Sequence, residues 1–104
     1  MLAVVAGFAA VMTASADGAK DNWDNMCAKC HGADGKGQTN IGKKLGCKDY
    51  SDAKVQAALT DDAATKAIKD GLKDSDGKTQ MKPYTTLSDD DIKALVAYMR
   101  TLKQ

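Results

Sequence analysis

The stretch Cys27-Ala28-Lys29-Cys30-His31 has the form C-x-x-C-H, and it decides how the rest of the chain is read. On one turn of helix, residues i, i+3 and i+4 share a face. Cys27, Cys30 and His31 then point the same way, two sulfurs beside one imidazole. This is the attachment pattern of a c-type haem. The thiols reach two vinyl groups on one porphyrin edge, and the imidazole falls beneath the iron as an axial ligand. A thioredoxin-like dithiol shares the C-x-x-C spacing but needs a βαβ context that the chain lacks. A zinc site would draw on Cys27, Cys30, His31 and Cys47, yet Cys30 and His31 are neighbours, and adjacent side chains rarely aim at one small tetrahedral ion. A plain disulfide is the remaining rival. Covalent attachment of one haem is the reading preferred over all three.

Upstream of the motif, Leu2 to Met12 is almost wholly apolar, and Ala14-Ser15-Ala16 reads as a small-residue cleavage site. The run falls short of the ~20 apolar residues of a spanning helix, although no Lys or Arg precedes it. A cleaved secretory signal peptide over residues 1–16 is preferred to an uncleaved anchor. Residues 17–104 then form a single haem domain with no stable membrane insertion, placed in the periplasm. Export agrees with the motif, because c-type haem is generally attached outside the cytoplasm. So small a domain buries a modest core and often needs a staple. Its aromatic residues are Trp23, Tyr50, Tyr84 and Tyr98, since Phe8 lies in the leader. A haem would fill an interior that these side chains do not.

The formal net charge is +1 and every acid is Asp, which leaves no general nucleic-acid signature. Lys29 to Lys54 is rich in Lys, whereas Val55 to Gly77 leans acidic. That asymmetry suits an acidic partner, or is simply solvated surface. A single His and no Glu leave few general acid–base groups, against a hydrolytic enzyme.

The helical pattern is legible in several places. Asp21 to Cys30 reads as a short helix, and Gly32 to Gly46 as a Gly-rich loop. Ser51 is placed to cap a helix carrying Val55, Ala58 and Leu59. Thr60 is placed to cap another carrying Ala64, Ala67, Ile68 and Leu72. Asp74 to Tyr84 reads as a loop ended by Pro83. Ser88 with Asp91 has the form of a capping box, followed by Ile92, Leu95, Val96, Met99 and Leu102 at the helical period. No stretch sustains period-two alternation, so the class is all-α.

On these residues the chain resembles the class I cytochromes c, from about Lys20 to Leu102. Trp23, four residues before Cys27, matches the aromatic position of the first helix, and Leu95 and Tyr98 match positions on the facing last helix. Met81-Lys82-Pro83-Tyr84, followed by Leu87 to Ile92, resembles the methionine loop and the start of the final helix. The resemblance implies the cytochrome c fold, N- and C-terminal helices packed together with short helices and loops around one haem. It also implies Met81 as the second axial ligand, a soft thioether that raises the reduction potential. Met99 is read as core, and Met26 as lying on the His31 side. The Gly-Pro-x-Leu segment whose carbonyl orients the imidazole corresponds to Gly42-Lys43-Lys44-Leu45, with Lys in place of Pro. Cys47 has no partner once Cys27 and Cys30 are thioethers, and is read as a small buried hydrophobe, with an intermolecular disulfide as the alternative in an oxidising compartment.

With His31 and Met81 both bound, the iron has no open position. The expected function is a one-electron carrier rather than an enzyme: a monomer shuttling electrons between redox protein partners. Lys29, Lys43, Lys44, Lys78 and Lys82 are candidates for a basic ring meeting an acidic docking surface. A haem enzyme subunit or gas sensor with a labile Met81, which Lys78 or Lys82 could replace, is the alternative, and a Cys3His zinc module the third.

Overall fold

The computed structural model describes residues 16–104. The expected leader lies outside the described residues, apart from Ala16. No helix among the described residues is long and apolar enough to cross a membrane.

The described residues open with α1, Ala16–Asn22, which runs unbroken into a π-helical turn, Trp23–Cys27, and then α2, Ala28–His31. The expected helix over Asp21 to Cys30 is therefore longer and changes pitch in the middle. Ala19, Trp23 and Cys27 are all buried and recur every four residues. In a regular α-helix each such step drifts by ~40°, and the wider turn takes that drift back, keeping the three on one inward line.

Two short helices follow: α3, Asn40–Leu45, and α4, Ala53–Ala58. The Gly-rich stretch is thus a loop only in its first half. Thr39 starts α3 by accepting the Gly42 N–H, a cap that the glycine content obscures. The α4 cap is Asp52, whose carboxylate accepts the Lys54 N–H, and not Ser51. The Ser51 hydroxyl is already committed to Asp49. Nor does α4 bury the expected apolar stripe. Its inward residue is Gln56, whose Nε2 donates to the carbonyls of Tyr50 (2.6 Å) and Met99 (2.9 Å), while Oε1 accepts from Arg100.

Helix α5, Asp61–Asp70, is capped by Thr60 as expected. It buries Ala64 and half-buries Ala67 and Ile68, but stops at Gly71, so Leu72 leaves the stripe and is 51% exposed. The segment read as a loop contains a small antiparallel pair, β1 (Leu72–Lys73) and β2 (Thr79–Met81), with Leu72 opposite Met81 and Lys73 opposite Thr79. One Asp74 carboxylate oxygen accepts the N–H groups of Asp76 and Lys78 and closes the turn between them. Helix α6, Asp89–Arg100, carries the expected Ser88/Asp91 capping box and buries Ile92, Leu95, Val96 and Met99.

Helix α1 packs against α6, and α5 packs against α6. Trp23 meets Tyr98 across the α1–α6 contact at 5.9 Å between ring centroids. The expected packing of the N- and C-terminal helices is present and the fold is all-α, its two short strands being a detail of one loop.

Candidate functional site

Inside the frame of the first helix, α5 and α6 lies a cavity of about 790 Å³, within the range of cofactor sites. Cys27, Cys30, His31 and Met81 all line it, with Leu59, Ile68, Leu95, Val96 and Met99 supplying apolar wall. The four expected site residues are therefore brought to one place from two separated segments. Cys47 lines the same cavity, only partly buried, as do Tyr50 and Tyr84.

The motif is held at its C-terminal end. The Trp23 indole N–H donates to the Gly32 carbonyl at 3.0 Å, and the Thr39 hydroxyl to the Cys30 carbonyl at 2.6 Å. The Gly37 N–H reaches the His31 carbonyl at 2.8 Å. Helix α3 lies against this end because Gly42 has no side chain; a Cβ there would collide with the Cys30 carbonyl oxygen. The His31 ring packs near two aromatic rings, with centroids 5.6 Å from Trp23 and 5.5 Å from Tyr50.

Burial sets the chemistry of these groups. It pushes the Cys27 thiol up to about 11, with Cys30 adding to the shift, so at neutral pH the sulfur is a thiol and not a free nucleophilic thiolate. It lowers the His31 pKa, keeping the imidazole neutral with a lone pair to offer a metal. His31 Nδ1 is buried with no hydrogen-bond partner among the described residues. The expected orienting segment, Gly42-Lys43-Lys44-Leu45, lies within α3, and the Lys43 carbonyl, standing where a Pro carbonyl was expected, does not accept from Nδ1.

These residues fit a haem. A roomy apolar cavity holds a neutral imidazole, two cysteine sulfurs and a thioether, and the imidazole has an unpartnered nitrogen. They do not fit zinc: no three His, Cys or Asp side chains converge on a common point among the described residues. Of the expected basic ring, Lys29 and Lys82 line the cavity, whereas Lys43, Lys44 and Lys78 do not; Lys48 joins them unforeseen.

Sequence reasoning missed the roles of Tyr50, noted only as a scarce aromatic, and of Tyr84, named only as part of the methionine-loop segment. Scarcity was the available signal, since a small chain with few rings places them where packing matters most.

The family model for cytochrome c matches residues 15–103. Among solved structures, the KustC0563 c-type cytochrome is 30% identical, with a TM-score of 0.71 over 83% of this chain and 98% of its own. A mutant of Kustc0563 is likewise 30% identical, with a TM-score of 0.68 over 82% of this chain and 98% of its own. No curated protein matches the sequence. The matched span runs from the first helix to the end of the last and encloses the cavity with its C-x-x-C-H motif; the chain belongs to the cytochrome c family.

Proposed function

We propose that the chain is a one-electron carrier with a single haem bonded through Cys27 and Cys30 and ligated by His31 and Met81. Family membership supports haem-based electron transfer in general. The observation that carries the finer reading is the convergence of those four side chains on one apolar cavity. When bound, the haem supplies an Fe(II)/Fe(III) couple. Cys27 and Cys30 would tether it as thioethers, and His31 would offer its neutral imidazole. The neighbouring Trp23 and Tyr50 rings restrict rotation of that imidazole. Met81 brings a soft sulfur, which favours the ferrous state and raises the potential. Leu59, Ile68, Leu95, Val96 and Met99 exclude water from the interior.

With His31 and Met81 both holding the iron, no position would be left for a substrate, which favours a carrier over an enzyme or gas sensor. The exposed side chains Lys29, Lys48 and Lys82 lie at the cavity wall beside the exposed Ile41 and Leu72. A redox partner with an acidic rim fits this face. The chain acts as a monomer in the periplasm.

The test is an absorption spectrum of protein exported by a haem-attaching host, oxidised, reduced, and reduced under carbon monoxide. A low-spin spectrum unmoved by carbon monoxide is expected. A carbon monoxide shift would remove Met81 as a firm ligand and promote the sensor reading. Absence of any haem band would remove the whole proposal.

A further inference from the structure

The segment that carries Met81 is lightly held. Strand β2 ends at Met81 and pairs with only the two residues of β1. Next come Lys82, which is exposed, and Pro83, which has no N–H to donate. The segment is caught again at Tyr84. The Tyr84 N–H donates to the Ile68 carbonyl in α5 at 2.9 Å. Its hydroxyl donates to the Met26 carbonyl at 2.7 Å, one residue before Cys27. The Lys82 ammonium lies 5.6 Å from the centre of the same ring.

Among the described residues, the bond from Tyr84 to Met26 is the one side-chain hydrogen bond that joins residues 79–84 to the 23–31 turn. Its acceptor lies in the π-helical turn, where the Ala28 N–H reaches five residues back to Trp23. That register interrupts the usual i→i−4 ladder, and such turns recur at functional positions. A phenylalanine at 84 would fill the same space and break only this link.

The geometry points to Tyr84 as a positioning residue that ties the Met81 segment to the helix bearing Cys27, Cys30 and His31. The inference rests on Met81 as a ligand. Tyr84 touches neither iron ligand in this role; it fixes the span between the two segments that supply them. Losing one such bond, worth a net factor of about 2–10 in an equilibrium, raises by that factor the fraction of time Met81 is away from the iron.

The experiment uses the haem-loaded protein and compares wild type, Tyr84→Phe, Ser88→Ala and Met81→Ala. Carbon monoxide binding to the reduced form is timed, and thermal unfolding is recorded in parallel. Ser88→Ala removes the α6 cap and reports what a loss of stability does by itself; Met81→Ala gives the rate of an open site. The expected result is carbon monoxide uptake ~2–10-fold faster in Tyr84→Phe than in wild type, with Ser88→Ala unchanged. Uptake by Tyr84→Phe at the wild-type rate overturns the proposal, as does equal acceleration in Ser88→Ala. Wild type that takes up carbon monoxide as fast as Met81→Ala overturns both this inference and Met81 ligation, so the two failures are told apart.

Discussion

Gly71 is where the Met81 segment passes closest to the end of α5, and replacing it with Ala tests how far that passage controls the site. Its backbone lies at φ +76, ψ −179, a region nearly closed to other residues, at a cost of about 1–3 kcal/mol. A Cβ there would also stand 2.5 Å from the Met81 carbonyl oxygen and 2.9 Å from the Pro83 nitrogen, where ordinary contact begins at 3.4 Å. Something must recede. The Gly71 N–H is bonded to the Ala67 carbonyl at the end of α5, so the lighter Met81–Pro83 segment is the part that moves. Gly77 provides the control. It shares the left-handed conformation at φ +80 but has nothing within 4 Å of its would-be Cβ. Gly77→Ala therefore adds strain of about 1–2 kcal/mol without a collision. Both variants, loaded with haem, are followed by thermal unfolding and by carbon monoxide binding in the reduced state. At ~4–8 °C per kcal/mol, both melt lower by several degrees or more, but only Gly71→Ala admits carbon monoxide readily. Carbon monoxide exclusion unchanged in Gly71→Ala refutes the reasoning. So does equal opening in Gly77→Ala, which would place the effect in hairpin strain and not in contact with Met81.

Gln56→Leu leaves the Tyr50 carbonyl without the amide that donates to it, while the Met99 carbonyl keeps the N–H of Leu102. The orphaned acceptor and the lost bond to Arg100 together destabilise by about 2–3 kcal/mol, read as a lowered urea midpoint; a change under ~0.5 kcal/mol would show the polar core to be dispensable. The Asp49 carboxylate contributes stability that acid removes. Hydrogen bonds from the Ser51 hydroxyl and N–H hold its pKa below the ordinary 3.8. Folding thus favours the charged form, and the contribution is full above pH 3.8 and lost as pH falls through the lower folded value. The stability gap between wild type and Asp49→Asn should accordingly shrink on acidification through that range, and a gap that widens would reverse the sign of the argument.

How legible this molecule was depends on whether a feature lies within one turn of chain or between distant segments. The C-x-x-C-H run, the Ser88 capping box and the apolar stripe of α6 are local patterns, and each folds as its spacing requires. Gln56 shows where locality fails. Its neighbours Val55, Ala58 and Leu59 carry the apolar signal, yet the inward position goes to the residue that can satisfy two carbonyls and Arg100 at once. Ser51 lost the cap for a related reason, because Asp49 captured its hydroxyl two residues away. Helix α3 was hidden because Gly42, which reads as a helix breaker, is needed for close approach to the Cys30 carbonyl. The π-helical turn shows only in the four-residue spacing of Ala19, Trp23 and Cys27, too short a run to signal a change of pitch. Met81 became legible only through likeness to a family, since nothing in its own neighbourhood says which distant cavity it lines.

The size of that cavity leads to a prediction about the protein without its cofactor. Without haem, water enters this space past the exposed Lys29, Lys48 and Lys82 at its wall. It wets the apolar surface formed by Leu59, Ile68, Leu95, Val96 and Met99 and forfeits its burial, against a whole-domain stability of only about 5–15 kcal/mol. Beyond the cavity wall the largest wholly buried side chain is Ile92, too little apolar volume to replace what is lost. Haem removal should therefore abolish cooperative unfolding, while the capped helix α6 keeps part of its helicity. Far-UV circular dichroism and thermal scans of haem-free protein, prepared in a host that lacks the attachment machinery, make the comparison. A cooperative transition within ~10 °C of the haem-loaded form would mean that the cavity closes by itself around Trp23 and Leu95, and that the polypeptide supplies the core without the cofactor.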